Sequence, residues 1–182
     1  MSVRQVTLLF AVLAIIAALV ALGIATWAVA ATRSERWSDA LDRFRQESGT
    51  TMLLAAAIVG FVAIGGSLYL SDVANFPPCR MCWYQRIAAY PLGPILLLAF
   101  IRRDHGVRPY VWLLTGIGIL LSSYHILLER VPSLESSACE IDNPCSIKWV
   151  EHLGFITIPT MAWCAFASIG ALAWLAGPRG ND

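Results

Sequence analysis

Five long apolar runs, separated by short polar segments, make up most of this chain. The runs cover residues 6–31, 50–71, 82–101, 110–128 and 155–176. The third run is charged only at Arg86, near its start, and the fourth is apolar except for His125 near its end. About 20 mostly apolar residues are enough to cross the hydrocarbon core of a membrane as a helix. The pattern therefore predicts an all-α membrane protein, a bundle of five transmembrane helices.

The composition agrees with a membrane protein and excludes other classes. Of the 182 residues, 58% are hydrophobic and 14% are charged, whereas a typical soluble domain has about 25% charged residues. The polar remainder is too short to form a separate soluble domain. With a net charge of +1 and no clustered basic face, the chain is not expected to bind nucleic acid.

Arginines between the runs predict the orientation of the chain in the membrane. They follow the first and third runs and recur in the tail: Arg33, Arg36, Arg43, Arg45, Arg102, Arg103, Arg108 and Arg179. Because cytoplasmic loops are enriched in Lys and Arg, we expect the N-terminus outside, the C-terminus inside and both cysteine pairs outside. Ala28-Val29-Ala30 resembles a signal-peptidase site, but the first run is much longer than the 7–15 apolar residues of a cleaved signal. Cleavage is therefore the less favoured alternative.

The polar segment 34–48 has the pattern of a short amphipathic helix. Trp37, Leu41 and Phe44 recur at i, i+4 and i+7, and Ser34 stands where an N-cap is expected. We predict a separate helix on the cytoplasmic membrane surface. Residues 1–49 then form a transmembrane helix with a linker, and residues 50–178 form the remaining four-helix domain.

The first cysteine pair, Cys79 and Cys82, immediately precedes the third run. Pro77-Pro78 favours an extended backbone before it, so we expect the third helix to begin near Cys82. A thiol at a helix N-terminus has a lowered pKa, which favours the reactive thiolate. Arg86 lies four residues later on the same helical face, with Gln85 beside it. Such an arginine can stabilise a thiolate or the negative charge on a quinone oxygen.

Plainer interpretations of the same residues remain open. Arg86 can extend toward the lipid headgroups without any catalytic role. The Cys-x-x-Cys pair can be a structural disulfide, or half of a zinc site that uses both cysteine pairs. The combination of a dithiol, a helix start and an arginine on one face is more specific than any one of these features.

The second pair, Cys139 and Cys145, lies in the polar segment 131–154 and encloses five residues. This spacing is short enough to close an exposed disulfide, which we expect to be exchangeable; a static staple of the loop is the alternative. The pattern of residues 147–155 predicts a short surface helix after the pair.

Two further residues inside the apolar runs can take part in chemistry. His125 is predicted at about the same depth as Arg86, so the two can meet around a quinone head group, where a histidine can donate a hydrogen bond or relay a proton. A structural histidine paired to a neighbouring helix is the alternative. Cys164 is alone in the fifth run and is expected to be an apolar packing residue.

Three sequence motifs resemble the DsbB-type disulfide-bond-formation proteins, in particular the BdbC or DsbB-like subgroup. They are Phe76-Pro-Pro-Cys79-Arg-Met-Cys82-Trp-Tyr-Gln-Arg86-Ile-Ala-Ala-Tyr90-Pro91-Leu92, Asn143-Pro144-Cys145 and Phe155-Ile-Thr-Ile-Pro159. The resemblance covers about residues 50–176. It implies a four-helix core, to which this chain adds one N-terminal transmembrane helix, in the bacterial cytoplasmic (inner) membrane.

The resemblance also implies an activity, a cofactor and a partner. A protein of this kind is a thiol:quinone oxidoreductase that reoxidises an extracytoplasmic DsbA-like thiol oxidase of thioredoxin fold. Cys139 would form the mixed disulfide with that partner, and Cys145 would be its mate. Electrons would pass to Cys79 and Cys82 and then to ubiquinone or menaquinone from the membrane pool. The head group would lie near Arg86, with Gln85 and His125 close to it.

Two other functions fit parts of the sequence. A non-catalytic membrane protein with structural disulfides would keep Cys79 and Cys82 oxidised whatever the state of the quinone pool. A transmembrane carrier of reducing equivalents would need cysteines deep in both halves of the membrane, and only Cys164 is so placed.

Overall fold

The computed structural model describes residues 2–135, 139 and 143–177, which form a helical bundle. Five of its helical segments are long and apolar enough to cross a membrane, which confirms the predicted all-α architecture. The α-helices are α1 (Val3–Ala31), α2 (Glu35–Leu68), α3 (Arg80–Ala89), α4 (Leu92–Arg102), α5 (Arg108–Arg130) and α6 (Ile158–Leu175). A π-helical turn (Tyr69–Val73) extends α2, and short 3₁₀ turns cover His105–Val107 and Pro132–Leu134. Arg179 and residues 140–142 lie outside the described residues.

The core of the bundle lies between α2, α4, α5 and α6. Its buried apolar side chains include Leu53, Leu92, Leu96, Phe166 and Ile169. Helix α1 packs along α6 and α2, while much of its other side is exposed and apolar. Large apolar side chains on the outside are what a lipid-facing surface requires.

Two glycines let α2 and α4 cross closely. A Cβ atom on Gly60 would lie 2.9 Å from Gly93 Cα, a distance that no side chain can accept. Close approach through small residues is the usual way in which transmembrane helices gain packing contacts. This contact fixes α4 against the helix that precedes the first cysteine pair.

The prediction of a separate amphipathic helix over residues 34–48 is wrong. Helix α2 begins at Glu35 and continues without a break through Gly49, so the division at residues 49–50 falls inside one helix. The Ser34 side chain makes no capping hydrogen bond. The reason is tertiary: a Cβ on Gly49 would meet the Ala176 carbonyl, and the Arg45 guanidinium lies 4.2 Å from the centre of the Trp174 ring. These contacts hold the polar segment against the end of α6.

The third apolar run forms one membrane span, as predicted, but two successive α-helices build it. It begins at Arg80, and α3 ends at Ala89 before α4 starts at Leu92. Pro91 stands at the junction, where its missing N–H and its ring interrupt the helical hydrogen bonds. Helix α3 packs mainly against α5, whereas α4 packs mainly against α2.

The segment after the second cysteine pair is a β-hairpin, so the prediction of a short surface helix there is wrong. Strand β1 (Glu151–His152) pairs antiparallel with β2 (Ile156–Thr157). Leu153 and Gly154 form the turn with φ values of 55° and 75°. Three residues, 153–155, connect the paired positions His152 and Ile156. Two consecutive residues with positive φ suit such a tight hairpin turn and cannot continue a helix.

Candidate functional site

The first cysteine pair forms the start of α3. Cys79 is the N-cap residue, and its sulfur accepts a hydrogen bond from the backbone N–H of Cys82 at 3.3 Å. The two sulfur atoms lie 2.8 Å apart, and both residues are free cysteines. The sequence correctly predicts the extended backbone before the pair, but it predicts the helix start at Cys82. In the structure the thiol at the helix end is that of Cys79.

Position and neighbours make Cys79 an acidic thiol. The hydrogen bond with the Cys82 side chain is the largest of the effects that lower the pKa of Cys79 to about 5. Burial opposes this shift, whereas the hydrogen bond with His125 supports it. Because the thiolate is the form that exchanges disulfides, Cys79 is reactive at neutral pH when the pair is reduced.

His125 lies between the two cysteine pairs. It is 2% exposed, and its Nε2 lies 3.7 Å from Cys79 Sγ and 3.0 Å from the carbonyl oxygen of Cys145. The Gln85 side-chain amide donates to His125 Nδ1 at 3.2 Å, so the ring proton is on Nε2. With this tautomer, Nε2 donates toward Cys145 and faces the sulfur of Cys79.

The second pair is joined as a disulfide. The Cys139–Cys145 bond closes the loop that the sequence predicts, and Cys145 is 1% exposed. This bond uses two of the four thiolates that a zinc site built from both pairs would need. Near the first pair, the ligand atoms of Cys79, Cys82 and His125 all lie within 4.8 Å of one another. These three side chains are therefore close enough to hold a metal ion together.

Contacts that the sequence analysis missed hold the second pair over the first. Glu135 accepts hydrogen bonds from the backbone N–H of Cys145 and from Ser146 Oγ. Asn143 Nδ2 donates to the Pro77 carbonyl oxygen at 3.4 Å. As a result, Cys145 shares a buried cluster with Cys79, Met81 and Leu128. Glu135 has no motif around it, and only the folded loop reveals its role.

A buried carboxylate also escaped the sequence analysis. Glu129 is 8% exposed and accepts a hydrogen bond from Thr157 Oγ1 at 2.6 Å. It shares a small pocket with Cys79, Cys82 and His125. Its spacing of four residues from His125 places both on one face of α5, which is the signal that the sequence offered.

A larger cavity of about 180 Å³ lies on the other side of the first pair. Cys82, Gln85, Arg86 and Tyr90 line it from α3, and most of its other walls are apolar. Within it, Arg86 Nη2 donates to the Ser67 carbonyl oxygen at 3.1 Å. The Arg86 guanidinium also lies 5.1 Å from the centre of the Trp83 ring. Arg86 is thus turned into the bundle, as a site residue requires.

The predicted site residues fall on two sides of the dithiol. Cys82, Gln85 and Arg86 line the cavity, as predicted for a common site, whereas His125 is not among its lining residues. Gln85 joins the two sides because it lines the cavity and donates to His125. Cys164 is buried, free and away from both pairs, in accord with a packing role.

Comparisons with known proteins point to one family. The model of a family described as "Disulfide bond formation protein DsbB" matches residues 49–176. A probable disulfide formation protein of Oceanobacillus iheyensis is 41% identical over 66% of this chain and 85% of its own length. Disulfide bond formation protein C of Bacillus subtilis is 42% identical over 64% of this chain and 86% of its own.

A more divergent relative extends the comparison. Probable disulfide formation protein C 1 of Bacillus anthracis is 31% identical over 72% of this chain and 95% of its own length. No solved structure matches the chain. Helix α1 lies outside the residues that the family model matches.

Proposed function

This chain belongs to the DsbB family of disulfide bond formation proteins, and from that premise we propose that it is a membrane thiol:quinone oxidoreductase. The family implies an oxidoreductase that reoxidises a thiol oxidase. We propose further that the partner is a DsbA-like protein of thioredoxin fold and that the electron acceptor is ubiquinone or menaquinone. We assign the redox chemistry to residues 50–178.

One observation carries the proposal: the second disulfide, His125, the first dithiol and the cavity follow one another in space. The Cys145 carbonyl contacts His125, His125 faces Cys79, and the Cys79 sulfur touches that of Cys82. Cys82 in turn lines the cavity that holds Arg86. The two pairs also share one buried cluster, which supports our proposal that two electrons pass between them by disulfide exchange.

The first step we propose takes place at the second pair. A thiolate of the reduced partner attacks Cys139, which forms a mixed disulfide and releases Cys145 as a thiolate. The partner's second thiol then attacks the mixed disulfide, so the partner leaves oxidised and Cys139 and Cys145 are left as a dithiol. Cys139 is the better target because it is partly exposed, whereas Cys145 is buried.

The second step moves the electron pair inward. The reduced second pair attacks a Cys79–Cys82 disulfide, and the products are a Cys139–Cys145 disulfide and a reduced first pair. Cys79 is a good leaving group because its pKa is about 5. His125 and Glu129 line the same small pocket as Cys79. We propose that they accept and release the protons that accompany the two electrons.

In the third step that we propose, the first pair passes its two electrons to the quinone. A quinone bound in the cavity would accept two electrons and two protons. The cavity suits such a group because it is mostly apolar and carries an arginine, an amide and a tyrosine on one wall. Arg86 and Gln85 would orient the head group, and Cys79 and Cys82 would close their disulfide as the electrons leave.

A reconstituted assay tests this proposal. The purified protein is mixed with a reduced thioredoxin-fold oxidase and either ubiquinone or menaquinone, and oxidation of the partner's thiols is followed with time. We expect turnover that depends on quinone and is lost in Cys82→Ser and Cys139→Ser but kept in Cys164→Ser. Turnover by Cys82→Ser, or a rate independent of quinone, would exclude the relay.

We also propose that both cysteine pairs face the extracytoplasmic side, because arginines cluster in the loops at the other end of the bundle. A membrane-impermeant maleimide applied to whole cells should label Cys139 after mild reduction, and should leave a cysteine introduced at Arg102 unlabelled. The opposite labelling pattern would reverse the orientation and remove access for an extracytoplasmic partner.

A further inference from the structure

We propose that α1 is part of the quinone site: it forms the wall against which the isoprenoid tail of the quinone packs, and it favours long-tailed quinones. This inference rests on the proposed quinone reductase function. Helix α1 lies outside the family match, yet Phe10, Leu13, Ala14 and Ala17 line the cavity that holds Cys82 and Arg86.

The cavity has the polarity of a molecule with a polar head and an apolar tail. Four of its polar side chains, Ser67, Gln85, Arg86 and Tyr90, come from α3, its C-cap and the end of α2 that precedes the first pair, and Trp149 adds an indole N–H. The lining residues of α1 and α6 are apolar. A head group near Cys82 therefore leaves its tail to run along α1.

Contacts at one end of α1 hold it in a fixed position. Phe10 meets the Tyr69 ring edge-on, with centroids 6.2 Å apart. A Cβ atom on Gly66 would lie 3.2 Å from the Phe10 ring, so the glycine makes room for it. His152 Nε2 donates to Thr7 Oγ1 at 3.1 Å and joins α1 to the hairpin that follows the second pair.

The lining residues of α1 extend along its axis. Phe10 and Ala17 are seven residues apart, which is about 10 Å along a helix. This length accommodates about two isoprene units, estimated at about 5 Å each from extended carbon–carbon geometry comparable to that of a backbone. The side chains of Ala14 and Ala17 are small, so they leave the space that a tail needs, whereas a larger side chain there would fill it.

Two quinones with one head group and different tails test the inference. The variant Ala17→Phe narrows the proposed tail channel, and the matched control Ile16→Phe makes the same kind of change at a side chain that is 51% exposed. For Ala17→Phe we expect the KM for a long-tailed ubiquinone to rise about tenfold, equivalent to losing about two buried CH₂ groups. The KM for a one-isoprene ubiquinone should change less than about twofold by the same argument.

A second variant keeps the test informative if Ala17→Phe fails to fold. Leu13→Ala removes an apolar contact without adding bulk, and we expect it to raise the KM for the long-tailed quinone about fourfold. Equal KM changes for both quinones, or no change in either KM, would overturn the role of α1. The role would also be overturned if the variant lost a bound phospholipid while both KM values stayed the same. Failure of the wild-type protein to reduce either quinone would instead overturn the proposed function.

Discussion

Polar side chains gather at both ends of the bundle, but they bind different kinds of atoms. At the arginine end, Arg108 Nε donates to the Ala173 carbonyl at 3.0 Å, and His105 Nδ1 donates to the Gly177 carbonyl at 3.1 Å. At the cysteine end, the corresponding histidine, His125, faces a sulfur atom. Donors at both ends satisfy backbone carbonyls, but only at the cysteine end do the polar side chains also surround atoms that can change oxidation state.

The comparison shows how to separate architecture from chemistry in this chain. The last carbonyls of a helix have no partner within it, and cations near them also interact favourably with the helix dipole. Arg108 and His105 meet this need at the end of α6. No such need explains why Gln85 donates to His125 beside the Cys79 sulfur. Substitutions at the arginine end should therefore alter stability, and those at the cysteine end should alter activity.

The largest effect is expected for Cys79→Ser. Serine cannot form a disulfide, so the first pair can neither accept nor pass on electrons, and turnover should fall by at least about a thousandfold. The rate of partner oxidation measures this, with Cys164→Ser as the control. The fold should persist, because serine is also a favourable N-cap residue. A large loss of thermal stability together with retained turnover would show that Cys79 has a structural role and no redox role.

A smaller but selective effect is expected for Arg86→Met. Loss of a charge-assisted hydrogen bond costs about 1.5–3 kcal/mol, which corresponds to a rise in the KM for quinone of about 10- to 100-fold. Turnover at saturating quinone should change less. Arg102→Met, at the arginine end, is the matched control and should leave the KM unchanged. An unaltered KM in Arg86→Met would remove this residue from the site.

The ionisation of the Cys79 thiol gives a pH-dependent test of the cysteine end. Its pKa is lowered from 9.0 to about 5, so alkylation by iodoacetamide should be half-maximal near pH 5. Trypsin cleaves after Arg80 and separates Cys79 from Cys82, so mass spectrometry can follow Cys79 alone. Because His125 contributes to the lowered pKa, His125→Phe should move the midpoint upward. An unchanged midpoint pH would show that His125 does not affect the ionisation of Cys79.

The same lowered pKa predicts how the reduced protein's stability changes with pH. Between pH 5 and pH 9 the folded state holds a thiolate where the unfolded state holds a thiol. Stability from this group is therefore fully present above pH 9 and is lost as the pH falls through 5. Thermal unfolding of reduced wild-type protein and of Cys79→Ser across this range would show whether the difference follows that direction.

The smallest effect is expected at the arginine end. Arg108→Met leaves the carbonyls of Ala173 and Trp174 without their side-chain donor. We expect a loss of about 1–2 kcal/mol of stability, visible as a lower melting temperature, with the KM for quinone unchanged. The reverse result, an altered KM for quinone at unchanged stability, would show that the arginine end takes part in quinone binding.

The sequence predicts the number of spans because apolar runs of membrane length depend on composition alone. It fails where tertiary contacts decide. Residues 34–48 have an amphipathic pattern, but their continuity with α2 depends on Gly49 meeting the end of α6. Pro91 does signal the break in the third run, yet the two helices together keep a span of sufficient length.

The candidate site is predictable only in part, for a similar reason. The cysteine pairs, Arg86 and Gln85 lie in local motifs, and their shared face follows from helical spacing. The roles of Glu135 and α1 depend on contacts between segments far apart in sequence. Cys79 was missed as the helix start because cysteine is not among the usual N-cap residues.

Neighbouring helices of unequal length have a consequence for the surrounding lipid. Helix α2 has 34 residues and is about 51 Å long, so its polar end must stand in the headgroups or in water. Helix α6 has 18 residues and is about 27 Å long, slightly less than the roughly 30 Å of the hydrocarbon layer. A bilayer that becomes thinner beside α6 would match this length and would bring the aqueous boundary closer to the redox centre.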